Sequence, residues 1–199
     1  MRLDLIFNRI QRLIAEHSGS DGKIKFLRKQ GVIIGNNCHL ETMSFSTEPY
    51  LVELGDHVAI ANGTVLVTHD GGISCFRDEF PGDDIFGKII IGNNVHIGVN
   101  CTILPNTIIG DNCIVGAGSV LRGRFPGESV IVGNPAKVLM SVHAQKFLFK
   151  VNPNRLHTEE MTDPEKKPIV IKHFAAKSII SETAESLNRT DSGNKFKSD

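Results

Sequence analysis

The sequence predicts an all-β chain whose short strands wind as a parallel β-helix, and three of its features carry that prediction. Ile91, Ile97, Ile103, Ile109, Val115 and Leu121 put an aliphatic side chain at every sixth position without a break. Leu54, Ile60 and Leu66 form an earlier run, with Ile34 and Leu40 upstream. A small residue follows most of them (Gly35, Gly55, Ala61, Gly92, Gly98, Gly110, Gly116), and a small or β-branched one stands four places on, as at Val58, Thr64, Val95, Cys101, Thr107, Cys113 and Ser119. Between them lie Asn-Asn, Asp-Asn and Asp-His pairs, residues that accept turns and left-handed backbone angles. A period of six matches neither a 3.6-residue helix nor an alternating strand. It matches short strands joined by tight corners.

The elements follow in order. Leu3, Ile6, Ile10, Leu13 and Ile14 recur three or four apart, predicting an amphipathic helix within an N-terminal helical segment, residues 1–30, broken by "SGSDG". The β-helix spans 31–133. Within it "FSTEPYLVE" (Phe45–Glu53) adds two residues to the count of six and holds the sole tyrosine, Tyr50. An insertion over 68–88 interrupts the rhythm and opens with "THDGG". "GNPAKV" (Gly133–Val138) opens the segment 134–151, where Pro135 stands near the first turn of a short C-terminal helix. Residues 152–199 turn polar, which predicts an extended, partly disordered tail with "KPIVIKHF" docking as a strand.

Composition narrows the function. With 22 basic and 22 acidic residues among 199 and no basic stripe, a nucleic-acid partner is not expected. Cys38, Cys101 and Cys113 occupy the small-residue position of the repeat, as buried apolar groups do, and no CxxC pair suggests a metal site. Free thiols fit a reducing, cytoplasmic setting. Neither a signal peptide nor a membrane span is expected.

The repeats, the loop opening "THDGG" and the closing "GNPAKV" together resemble the hexapeptide-repeat acyltransferases, in the branch of maltose, galactoside and capsule-sugar O-acetyltransferases. The likeness covers roughly residues 31–145. It implies a left-handed coil of triangular section, a homotrimer with active sites between subunits, and acetyl-CoA as acyl donor. The matching donor positions are Gly98, Gly116, Ala117, Arg122 and Lys137, with the two cations facing phosphates. It also makes His69, which opens the loop, the general base. Where galactoside-type relatives carry tryptophan this chain has His96, and it has no tryptophan at all.

The residues agree with that chemistry. Acetylating a hydroxyl requires removal of its proton as the oxygen attacks a thioester, and an imidazole, with an ordinary pKa of about 6.5, suits that task near neutrality. Of eight histidines, His39, His57 and His96 fall on outward or corner positions, and His17, His143, His157 and His173 lie outside the coil. His69 alone begins an insertion. Asp70 and Glu79 are candidates to orient its second nitrogen or to touch the acceptor. Ser46, Glu48 and Asn62 are further candidate acceptor contacts, and backbone N–H groups near Gly98 are candidates to stabilise the oxyanion. The expected reaction is acetyl transfer to a hydroxyl of a sugar or glycan precursor, nucleotide- or lipid-linked sugars included. The alternatives are N-acetylation of an amino sugar, an acyl-enzyme route through Cys75, a zinc-dependent carbonic-anhydrase-like enzyme, and a non-catalytic binding scaffold.

Overall fold

The computed structural model describes the backbone of residues 2–175 and side chains from Phe7 onward. The chain falls into two units, one ending at Phe149 and one starting at Lys150. Three parallel strand stacks form the body of the first. One face holds Ile33–Ile34, Val52–Leu54, Ile89–Ile91, Thr107–Ile109 and Arg124–Phe125; the second holds His39–Leu40, Ala59–Ile60, His96–Ile97, Ile114–Val115 and Ser129–Gly133. The third holds Val65–Leu66, Thr102–Ile103 and Val120–Leu121, with Phe45 bridging to Leu66. The chain visits the faces in turn, so every sixth side chain points inward. Leu40, Ile60, Leu66, Ile97, Ile103 and Leu121 are all 0% exposed. Removing this column of aliphatic surface from water is the main stabilising term.

Register follows from the corners. Asn93 N–H donates to Asp111 Oδ1 across a sequence distance of 18, and Ile91 pairs with Ile109, so a regular coil is 18 residues. Asn36 meets Asp56 at a distance of 20, which is the two-residue excess expected of 45–53. Asp56 meets Asn93 at 37, the loop being passed over in phase. The final coil is shorter: Asn112 reaches Glu128 at 16, and Phe125, off the hexad count, takes the inward place above Ile109. Asn37, His57, Asn94, Asn112 and Glu128 all hold positive φ (53–57°) at equivalent corners, which explains the recurring Asn.

The ends differ from expectation in three places. Where one N-terminal helix is predicted there are two, α1 (Arg2–Glu16) and α2 (Ser20–Lys29). Ser18 and Gly19 make the break, and Leu40 N–H donates to Ser20 Oγ, tying α2 to the first coil. Ile24 and Leu27 of α2 then close the bottom of the column. "GNPAKV" is not the start of a helix. Gly133 turns left-handed (φ 108°), and Ala136–Ser141 runs back antiparallel to Ser129–Gly133, covering that sheet's open edge. The helix, α3, begins only at Val142 and ends at Val151.

"KPIVIKHF" is not a strand either. It lies in α4 (Asp163–Ala175), started by Thr162-Asp163-Pro164-Glu165: both the Thr162 N–H and its hydroxyl donate to Glu165 Oε2. The rest of the predicted tail, 176–199, lies outside the described residues. Among those described, no helix is long and apolar enough to cross a membrane.

Candidate active site

The third face's first strand, Val65–Leu66, delivers Thr68 and His69 to the mouth of the inserted loop. His69–Asp70 pairs antiparallel with Ile85–Phe86, and Gly87 N–H donates to Thr68 O, so the loop has a hairpin neck. Past the neck, Asp70 Oδ1 accepts the Gly72 N–H at 3.0 Å and starts the 3₁₀ turn Gly71–Phe76. That bond, and then the Arg122 guanidinium 3.1 Å from Oδ2, hold the Asp70 carboxyl below its ordinary pKa of 3.8. Arg122 therefore anchors the loop to the last full coil.

His69 Nδ1 lies 3.1 Å from Glu48 Oε2, and its side chain is 43% exposed against 15% for Glu48. Glu48 is itself gripped: Thr47 Oγ1 donates to Oε1 at 2.6 Å and the buried Thr68 hydroxyl donates to Oε2 at 2.9 Å. The Thr47 bond is the chief cause of a Glu48 pKa below 4.5; partial burial opposes it, and Thr68 and His69 add to it. An ionised Glu48 accepts only, so in the neutral ring the hydrogen belongs on Nδ1 and the lone pair on Nε2. Ser46 Oγ stands 3.3 Å from Nδ1. A pocket of about 200 Å³ opens beside the ring, lined by Thr47, Glu48, His69, Asp70, Asp84 and Phe86, among others.

The candidate residues separate into two groups. Ser46, Glu48, His69 and Asp70 come together. The carboxylate on Nδ1 is Glu48 rather than Asp70 or Glu79; Asp70 serves Gly72 and Arg122, and Glu79 lies in the loop beyond the residues lining the pocket. Thr47, Thr68, Asp84 and Phe86 are pocket or clamp residues that sequence reasoning missed. Gly98, Gly116 and Ala117 form the second group, on the border by which the chain enters the third face, whereas His69 leaves from its exit border. Asn62 stands on that same entry border, its Oδ1 accepting the Gly63 N–H.

Coil stacking itself demands these glycines: a Cβ on Gly98 would lie 2.7 Å from Ala117 N, and one on Gly116 2.7 Å from Val132 Cγ1. Exposed Ala117 leaves the border low, and exposed Lys137 pairs with Val132 beside it. Gly98 N–H donates to Val115 O, so this amide is committed to the coil and is not an oxyanion donor.

The remaining groups have local explanations. His57 Nε2 meets Asn37 in a corner, and His39 meets Glu41. Cys101 and Cys113 are buried and donate to Gly116 O and Pro126 O, and burial pushes the Cys113 thiol up. Among the described residues no three His, Cys, Asp or Glu side chains gather as a metal site.

Comparison with known proteins gives the lineage. The family described as bacterial transferase hexapeptide (six repeats) matches residues 88–123. Protein CapG of Staphylococcus aureus is 42% identical over 151 residues, covering 74% of this chain and 87% of that protein. Galactoside O-acetyltransferase of Escherichia coli K12 is 30% identical over 132 residues, 65% of this chain and 64% of that one. Among solved structures, the hexapeptide-repeat acetyltransferase of Vibrio cholerae complexed with acetyl coenzyme A superposes with a TM-score of 0.52 at 20% identity, over 67% of this chain and 84% of that one. With its 18-residue coils and its loop, this chain belongs to the hexapeptide-repeat transferases and is an acyltransferase on a left-handed parallel β-helix.

Proposed function

We infer that this protein moves an acetyl group from acetyl-CoA to a hydroxyl of a sugar, with His69 as the general base. The observation that carries the reading is the Glu48 clamp. A histidine tethered at Nδ1 by a carboxylate that two threonines hold in place is a ring kept in one tautomer and one orientation. Nε2 takes the acceptor's proton as its oxygen attacks the thioester carbonyl. The C–S bond then breaks, and the protonated ring returns the proton to the leaving sulfur. Glu48 stabilises the imidazolium that exists between the two transfers.

Acetyl-CoA is the co-substrate, supplying an acyl group already activated as a thioester. The border of Gly98, Gly116 and Ala117, with Lys137 beside it, is the donor track. Because His69 and that border flank one face on opposite sides, the base of one subunit serves the donor track of the next, in a homotrimer. The sugar acceptor is supported by the galactoside O-acetyltransferase relative. A screen of sugars with acetyl-CoA, following thiol release, tests the reading. Release with no sugar, or equal release by a His69→Ala variant, would overturn it. Product analysis separates O- from N-acetylation.

A further inference from the structure

The pocket at His69, about 200 Å³, is smaller than the roughly 300–1,000 Å³ of small-molecule sites. A complete acceptor must therefore extend out of it. Thr47 lines that pocket and also a second one of about 360 Å³, between α1, α2 and the 45–49 bulge. Asn8, Arg9 and Arg12 line the second pocket together, as residues three and four apart on a helix do, with Gln30 across from them and Phe26 among its apolar walls. Arg12 Nε is 3.0 Å from Glu16, a surface pair along the helix that readily gives way. Arg9 makes no ion pair among the described residues.

We propose that this second pocket binds the anionic part of the acceptor, so that the sugar presented to His69 is one linked to phosphate or diphosphate. The proposal rests on the sugar-acetylation reading above and extends it. Guanidinium groups present paired N–H donors that match phosphate oxygens, and the Asn8 and Gln30 amides add neutral donors. A nucleotide-linked and a lipid-linked sugar share this diphosphate.

The test is equilibrium binding to the full chain, loaded with CoA so that the donor's phosphate contacts are already filled. The probes are inorganic pyrophosphate, UDP-glucose and farnesyl-diphosphate-linked glucose, with glucose as the neutral control. All three anions should bind more tightly than glucose. A doubly substituted Arg9→Ala, Arg12→Ala protein should lose about tenfold or more, the scale of lost hydrogen bonds to a charged group. Arg9→Lys, Arg12→Lys should lose less. Both positions are exposed on α1, so folding should survive, and helical circular dichroism checks it.

Tighter binding of the nucleotide or of the lipid form names the source, and either result supports the site. Unchanged binding in the double alanine variant overturns the proposal. So does binding that Lys137→Ala removes instead, since the anion would then sit on the donor track. If no sugar releases thiol while arginine-dependent pyrophosphate binding persists, the acetylation reading falls and the anion site stands. If thiol is released with equal KM for glucose and its phosphorylated forms, the reverse holds.

Discussion

At the scale of single residues, Glu48 and His69 make separable predictions. His69→Ala should lower turnover roughly 100- to 10,000-fold, the range of a lost general base, with the thermal midpoint nearly unchanged because the aliphatic column lies elsewhere. Glu48→Gln keeps the shape but lets Nδ1 lose its fixed acceptor. Its rate should fall by no more than that of His69→Ala, with a larger effect on kcat than on the KM for acetyl-CoA. The carboxylate also leaves a trace in stability. Its folded-state pKa is depressed below 4.5, so the stabilisation it provides is fully present above pH 4.5 and is lost as pH falls through the lower folded value. Melting curves of parent and Glu48→Gln should thus converge as pH falls below 4.5. A difference that persists undiminished in acid would mean that Glu48 is not held as the ion.

At the scale of elements, coil and loop should respond oppositely to substitution. Ile103→Ala empties a fully buried place in the column and should cost about 2–5 kcal/mol in denaturant unfolding. Arg122→Ala cuts an ion pair whose side chains are 63% and 44% exposed, so the unfolding midpoint should hardly move. Faster proteolytic nicking of the loop and a reduced kcat should appear instead, and an unchanged loop would remove Arg122 as its anchor.

The same contrast explains what the sequence reveals. The coil is legible because each hexad repeats the same local demand: aliphatic inward, small residue next, asparagine at the left-handed corner. His69 stands out as the histidine that begins the interruption. Its partner Glu48 is harder to find, lying 21 residues earlier and reaching His69 only because the bulge brings them to one level. The strand Ala136–Ser141 answers to an open sheet edge that no local pattern announces. α4 is different: its Thr-x-x-Glu start is a helix signal legible in the chain, but the β-branched run Ile169-Val170-Ile171 after it has the composition of a strand.

At the scale of the whole molecule, a base and a donor track on opposite borders make one chain an incomplete enzyme under the proposed function. Sedimentation should find three chains, and specific activity should fall on dilution below the assembly constant; activity independent of concentration in a monomer would contradict the trimer. Lys137→Ala should raise KM for acetyl-CoA more than for a truncated pantetheine thioester, and high salt should shrink the difference, because the contact is with phosphate. Equal effects on both donors would take Lys137 off the track.

The 18-residue coil also makes the scaffold a counter. Adding or removing a whole coil would change the length of the prism while every later side chain kept its direction, whereas another number must be taken up locally, as the two extra residues of 45–53 are, or it rotates all that follows. The loop escapes this arithmetic, since Leu54 still faces Ile91 and Ile60 still faces Ile97 across it. Its length and composition are free to drift without leaving a mark on the column. Two descendants of one ancestor could therefore share every inward residue and yet hand their acetyl groups to different molecules.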